Sequence, residues 1–189
     1  MYKLILASKS PRRHLLLKEM GFNFEVRTLD TDESFPEEMP AEEVAEFLAR
    51  KKAHALRETL APGELLLASD TTVVLDGRVF NKPADYEDGL RILGELSGRA
   101  HTVYTGVCLM ALDTERSFCV ASRVHFKPIS EEAMRFYLDH YQPYDKAGSY
   151  ATQEWIGLTH IERIEGSYTN IMGLPTQRLY DELTDLGVG

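Results

Sequence analysis

The apolar run Leu4-Ile5-Leu6-Ala7 passes without a break into the polar turn Ser8-Lys9-Ser10-Pro11-Arg12-Arg13. This is a short buried strand handing over to a helix, and it commits the chain to alternating β and α elements near its start. Ser10 is a suitable N-cap, and Pro11 fits the first helical position, where a missing N–H costs nothing. Arg12 and Arg13 then lie at the positive end of the helix dipole, mildly unfavourable for each by up to ~1 kcal/mol. A bound anion reverses that sign, because backbone N–H groups and guanidinium forks converge on it. Two solvated arginines at a frayed helix start are the alternative, and spacing alone does not choose between them.

The same alternation continues along the chain. After the strand over residues 3–8, a helix is predicted from Pro11 to Met20, ended by Gly21. A second strand follows over Phe22–Leu29. The acidic segment Asp30–Pro40 reads as a loop, with Pro36 and Pro40 excluding regular structure. A helix is expected from Ala41 to about Leu60, ended by Pro62-Gly63. Leu65–Leu75 reads as a strand, and Asp76-Gly77 is a strong hairpin signal before Arg78–Phe80. A helix over Asp85–Leu96 precedes a long antiparallel pair, His101–Leu112 and Ser117–Phe126. Glu131–His140 forms a helix capped by Ser130, Thr159–Ile164 is strand-like, and Pro175–Leu186 closes the chain as a helix. Hairpins among the βα alternations favour a mixed α/β fold with a mixed sheet over a purely parallel one.

With 189 residues, the chain suffices for one well-cored domain over residues 1–189, with room for two lobes. A formal net charge of -9 argues against sequence-independent binding to nucleic acid or to an anionic membrane. It leaves room for a small anionic ligand held by a local basic cluster. Cys108 and Cys119 show no metal-ligand spacing and are expected as free thiols in a reducing compartment. No signal-peptide pattern or apolar run of membrane-spanning length is present, so a cytoplasmic location is expected.

Besides the Ser8–Arg13 turn, three places put polar chemistry at the end of an apolar element. Lys51 and Lys52 both fall on or beside the stripe formed by Val44, Phe47, Leu48, Ala55 and Leu56, and periodicity does not say which one points inward. Snorkelling into water is the simple reading for either. Asp70, at the end of the apolar run Leu65–Leu67, must be paired, hydrogen-bonded or metal-bound if buried. It suits a general base or a metal ligand, or simply a bond to nearby backbone. Lys82 stands between Asn81 and Pro83, a weak signal alone. No phosphate-binding or dinucleotide glycine motif, no zinc-protease helix motif and no serine-hydrolase elbow occurs. The histidines are scattered, and Trp155 and the tyrosines over 137–150 read as packing.

Taken in order, Ser8–Arg13, Lys52-Ala53, Ser69-Asp70-Thr71, Asn81-Lys82-Pro83, Asp145-Lys146-Ala147-Gly148 and the run Gly166–Pro175 resemble the Maf family of nucleoside triphosphate pyrophosphatases. The likeness spans nearly the whole chain. Gln153 is similar to the branch that hydrolyses dTTP and UTP; the branch acting on 7-methyl-GTP usually lacks the motif lysine and carries an acid where Gln153 stands. Two departures lie beside the expected base pocket. Ala151-Thr152 stands where the dTTP/UTP branch tends to have Gly-Ile, and Glu154-Trp155 where a glycine often follows the glutamine.

The resemblance implies an inosine-triphosphatase-like fold, with a long mixed sheet flanked by helices and a cleft between two lobes, and a homodimer. It implies that Ser8, Ser10, Arg12 and Arg13 cradle the polyphosphate of a nucleoside triphosphate, with Lys52 and Lys82 neutralising charge on bridging and leaving oxygens. Asp70 accepts a proton from water, directly or through a divalent metal, Mg²⁺ being the natural candidate. Glu33 is the second carboxylate for that metal, and Thr71 and Gln153 read the base. The rivals are the same reaction on a modified nucleotide, and a nucleotide-binding regulator of cell division with little catalysis. A nucleic-acid-binding domain suffers from the acidic charge and the lack of a motif.

Overall fold

The computed structural model describes residues 2–188. Strand β1 (Lys3–Leu6) leads through Ser8–Ser10 into α1 (Pro11–Glu19), and β2 (Phe24–Val26) then returns parallel to β1, Leu4 facing Phe24 and Leu6 facing Val26. On its other side β1 pairs in parallel with β3 (Glu64–Leu75), in the register Leu4↔Leu65 to Leu6↔Leu67. These facing residues are 0–1% exposed, the unbroken apolar run expected of parallel strands covered on both faces.

The hairpin at Asp76-Gly77 forms as expected. Both residues have positive φ, 52° and 72°, the geometry of a two-residue turn matched to strand twist. It pairs the end of β3 with β4 (Arg78–Phe80), Leu75 facing Arg78. Strands β5 (Ala100–Met110) and β6 (Glu115–Phe126) are adjacent and joined by residues 111–114, a connection short enough only for antiparallel pairing. Strand β7 (Ile161–Glu165) runs antiparallel to β6. The result is a seven-stranded mixed sheet in the order β2-β1-β3-β5-β6-β7, with β4 on β3. The helices are α2 (Val44–Leu56), α3 (Tyr86–Leu96), α4 (Glu131–Tyr141), α5 (Trp155–His160), α6 (Tyr168–Met172) and α7 (Thr176–Asp185).

Several boundaries differ from the sequence-based expectation for identifiable reasons. The strand expected over Phe22–Leu29 shrinks to three residues: β1 ends at Leu6, which faces Val26 and whose carbonyl accepts the Arg27 N–H at 3.1 Å. The long helix before Pro62 starts only at Val44 and tightens into a 3-10 turn at Arg57–Thr59, where the Thr59 hydroxyl donates to the Leu56 carbonyl at 2.7 Å. Thr159 and His160 belong to α5 rather than to a strand; the Thr159 hydroxyl donates to the Trp155 carbonyl at 2.7 Å. The cap at Ser130 forms as expected, its side chain accepting from the Ala133 N–H, whereas Asp85, expected as the first helical residue, is the N-cap of α3 and accepts from the Asp88 N–H.

The chain forms two compact units, residues 1–70, 105–120 and 173–189, and residues 71–104 and 121–172. In the first, Ala49 and Ala53 of α2 pack with Ile5, Leu66 and Met110. Small residues matter there: a Cβ on Gly106 would lie 2.3 Å from the Ala45 carbonyl carbon, so α2 rests directly on β5. The buried face of α2 therefore runs through Ala45, Leu48, Ala49 and Ala53, while Phe47 is half-buried and Ala55 exposed. The core of the second unit gathers Leu93, Leu96, Val124, Phe126, Tyr137, Leu138 and Ile156. Cys108 and Cys119 are free thiols, and burial pushes them up to about 12 and about 11. Among the described residues no helix is long and apolar enough to cross a membrane.

Candidate active site

Parallel pairing sets Lys3–Leu6 of β1 against Glu64–Leu67, the first residues of β3, so the carboxyl end of β1 lies beside the middle of β3. Ligands of open α/β sheets ordinarily bind beyond a carboxyl end such as that of β1. Beyond β1 lies Ser8, beyond the apolar part of β3 lie Ser69 and Asp70, and α2 carries Lys52 to the same place. Lys52 Nζ lies 2.5 Å from Asp70 Oδ1 and 2.8 Å from Glu33 Oε1, so one ammonium joins the strand acid to the acidic loop. Lys51 instead donates to Asp32 Oδ2 and the Ser34 carbonyl, both at 2.9 Å. The question left open by helical periodicity is thus settled by a partner on β3, with Lys52 turned toward Asp70.

The Ser8–Arg13 turn is built around Ser8 rather than Ser10. Ser8 Oγ accepts from the Ser10 N–H at 3.1 Å and from an Arg13 guanidinium nitrogen at 3.4 Å. Ser10 occupies the N-cap position, but its side chain makes no cap hydrogen bond, because the turn is already closed from Ser8. His14 Nε2 lies 2.6 Å from the Ser8 carbonyl oxygen and holds the turn from the helix side. Arg13 Nε donates to the Gly173 carbonyl at 2.9 Å, and the Ser69 hydroxyl donates to the same oxygen at 3.2 Å. Gly173 has φ +114°, a backbone conformation that favours glycine. Burial pushes the Arg13 guanidinium below its ordinary value, while the fields of Asp70 and Glu33 oppose that shift. Arg12 stands close enough to Arg13 to add to the downward push.

Ser8, Arg13, Glu33, Lys52 and Asp70 are therefore brought together in the first unit. Sequence reasoning gave no individual role to His14, Ser69 or Gly173: Ser69 and Gly173 stood only inside motifs of the resemblance and meet across 104 positions, while His14 bonds back to Ser8, six positions away. Among the described residues no group of three or more His, Cys, Asp or Glu side chains is arranged for a metal. The Glu33 and Asp70 carboxylates nonetheless converge on a single cationic atom, the Lys52 ammonium. Two hard oxygen donors around one positive centre suit Mg²⁺, which takes one or two carboxylates and fills its remaining positions with water and phosphate oxygens.

Thr71, Lys82 and Gln153 belong to the second unit. Thr71 is half-buried on β3, and Lys82 is exposed after β4. The Gly148 N–H donates to the Asn81 carbonyl at 3.2 Å, which joins the Asn81–Pro83 and Asp145–Gly148 segments. Gly148 has φ +71°, and a Cβ there would lie 2.8 Å from Val73 Cγ2, so no other residue fits. Lys146, next to it, is buried; its ammonium lies 2.7 Å from Asp145 Oδ1 and 3.4 Å from Glu154 Oε1. The Thr152 hydroxyl donates to Gln153 Oε1 at 3.4 Å.

The family model described as "Maf-like protein" matches residues 3–186. A dTTP/UTP pyrophosphatase of Bacteroides thetaiotaomicron is 50% identical over 186 residues, 98% of this chain and 96% of that protein. One from Phocaeicola vulgatus is 48% identical over 186 residues, with the same coverage of 98% and 96%. Among solved structures, the Staphylococcus aureus Ham1 protein is similar at a TM-score of 0.48 and 14% identity, over 66% of this chain and 71% of that one, too distant to add to the assignment. A family match from the first strand to the last helix, with relatives this similar along their whole length, places the chain in the Maf family.

Proposed function

We propose that this chain is a cytoplasmic nucleoside triphosphate pyrophosphatase that hydrolyses dTTP and UTP to the monophosphate and pyrophosphate. The observation that carries the reading is the Lys52 ammonium between Asp70 and Glu33, near the half-buried Arg13. That cluster offers a proton acceptor and concentrated positive charge at the carboxyl end of β1, beside the middle of β3. The whole-chain likeness to proteins named dTTP/UTP pyrophosphatase supports the substrate.

Water attacks the α-phosphorus, its proton passes to Asp70, and the bond from that phosphorus to the αβ bridging oxygen breaks as pyrophosphate leaves. Such a reaction asks the protein mainly for positioning and charge stabilisation. Ser8, Ser10, Arg12 and Arg13 hold the phosphate oxygens, and Lys52 and Lys82 offset charge developing on the bridging and leaving oxygens. Glu33 and Asp70 would hold a divalent metal, Mg²⁺ by donor chemistry, which when bound lowers the pKa of water and draws off phosphate charge. Thr71 and Gln153 read the base, the glutamine amide offering both a donor and an acceptor to uracil or thymine. The reading includes a homodimer, on family resemblance alone, which sedimentation velocity tests.

The deciding experiment is pyrophosphate release from a panel of nucleoside triphosphates, with Mg²⁺ and with chelator. Metal-dependent turnover favouring dTTP and UTP is expected. Turnover confined to modified nucleotides would move the substrate, and nucleotide binding without any turnover would overturn the reaction.

A further inference from the structure

Glu154 turns its side chain inward and divides its carboxylate between two partners. Oε2 accepts from the Tyr137 hydroxyl, and Oε1 lies 3.4 Å from Lys146 Nζ. Tyr137 is fully buried on α4, and its hydroxyl oxygen also accepts the N–H of Ala151 at 3.2 Å. One hydroxyl thus clasps both ends of the four-residue turn Ala151–Glu154, which the Glu154 N–H closes onto the Ala151 carbonyl at 3.2 Å. Gln153 lies inside that turn.

The charges make the clasp directional. The Lys146 ammonium is shielded from water, its side chain 10% exposed, and needs a partner. Asp145 is nearer but 65% exposed, whereas Glu154 is 20% exposed, so its longer contact acts through a less polar medium. Lys146 draws the carboxylate inward, and the carboxylate orders the Tyr137 hydroxyl so that a lone pair faces Ala151. An amide reads a base only when held to within about 0.5 Å and 10–20° of its working pose.

We propose that Glu154, acting through Tyr137 and Lys146, is a positioning residue that fixes Gln153 and thereby sets discrimination among nucleobases. This rests on the base-reading role given to Gln153 above. Loosening the clasp leaves the phosphate-binding groups of the first unit untouched and lets the Gln153 amide turn, so pyrimidine selection falls while phosphate chemistry continues.

The test compares kcat and KM for UTP and CTP, which differ at the carbonyl or amino group on C4. The variants are Gln153→Ala, Glu154→Ala, Glu154→Gln and Tyr137→Phe, with thermal unfolding to report folding. Gln153→Ala is expected to collapse the UTP-over-CTP ratio of kcat/KM. Glu154→Ala and Tyr137→Phe are expected to lower that ratio by about tenfold, the worth of one well-placed hydrogen bond, mainly through KM for UTP. Glu154→Gln keeps an acceptor for Tyr137 and is expected to keep most of the ratio. Adding Glu154→Ala to Gln153→Ala is expected to change the ratio no further, because nothing remains to be positioned.

A collapsed ratio in Gln153→Ala with a native ratio in the folded Tyr137→Phe protein would overturn the positioning role alone. An equal loss of kcat on both nucleotides would also overturn it, as the mark of a merely structural part. A native ratio in Gln153→Ala itself would overturn the base-reading role and this inference with it. If Glu154→Ala does not fold, Tyr137→Phe and Glu154→Gln decide.

Discussion

Lys52 Nζ lies 2.5 Å from Asp70 Oδ1, in a pair whose side chains are 19% and 11% exposed. Each charge offsets the desolvation of the other, and neither is comfortable alone. The pair also joins α2 to β3 at the point where the apolar part of the strand gives way to Ser69 and Asp70.

Asp70→Asn keeps the shape of the side chain and removes its ability to take a proton. Turnover is expected to fall by about 10³-fold, within the usual reach of general base catalysis, while UTP binding changes little. Pyrophosphate release and calorimetric titration measure the two halves separately. Full activity would remove Asp70 from the proton-accepting role.

Lys52→Met leaves the Glu33 and Asp70 carboxylates facing each other without their cation. Glu33 is 44% exposed, so solvent screens part of the repulsion and the loss of stability is expected at about 3 kcal/mol or less. Mg²⁺ binding to the freed carboxylates would stabilise the folded state by mass action. Thermal unfolding of the variant should therefore rise with Mg²⁺ more steeply than that of the parent protein. An unchanged midpoint across the titration would count against Glu33 and Asp70 as joint ligands.

The parts of this molecule that were legible in the sequence are those decided locally. The continuous apolar runs of β1 and β3, the Asp76-Gly77 turn and the cap at Ser130 each draw on neighbours a few residues away. The short helices α5 and α6 do not. Gly157 in α5 is required because a Cβ there would lie 2.1 Å from the Thr152 carbonyl oxygen, and α6 starts where Ser167 Oγ accepts from the Asn170 N–H at 3.3 Å. At the site, Asp70 and the two arginines were visible as an acid following an apolar run and a helix-start pair. The inward choice of Lys52 depends on a residue 18 positions away, and the Ser69 bond to Gly173 spans 104 positions. Side-chain periodicity along one helix or strand carries no information about such partners.

Gly106→Ala tests the contact between α2 and β5. The added Cβ would meet the Ala45 carbonyl carbon and the Glu46 nitrogen at 2.3 Å. Both are backbone atoms inside a helix, so neither can yield as a flexible side chain would. A loss of about 3 kcal/mol is expected from overpacking, read as a lower urea midpoint with little change in slope. A stability unchanged within error would mean that α2 can lift from the strand at no cost.

His101 gives the protein a pH dependence of its own. It is 1% exposed, its Nε2 lies 2.7 Å from the Tyr150 hydroxyl, and its Nδ1 finds no hydrogen-bond partner among the described residues. Desolvation first, and the neighbouring His125 second, push it down to about 3. In the unfolded chain the imidazole takes a proton near pH 6.5, whereas in the folded chain it stays neutral until far lower pH. The unfolded state therefore binds more protons below pH 6.5, and folding stability falls as pH falls, by about 1.4 kcal/mol for each unit. The decline should begin before the carboxylates contribute, since the Glu64 carboxyl, held down to about 2 by Arg27, loses stability only below the unfolded value near 4.5. Urea unfolding at intervals from pH 7 to pH 5 isolates the imidazole. His101→Gln, which cannot take a proton, is expected to flatten the curve over that window, even if it lowers stability at pH 7. An equal slope in the variant would assign the dependence to another group, with His160 the next to test, since burial lowers it too.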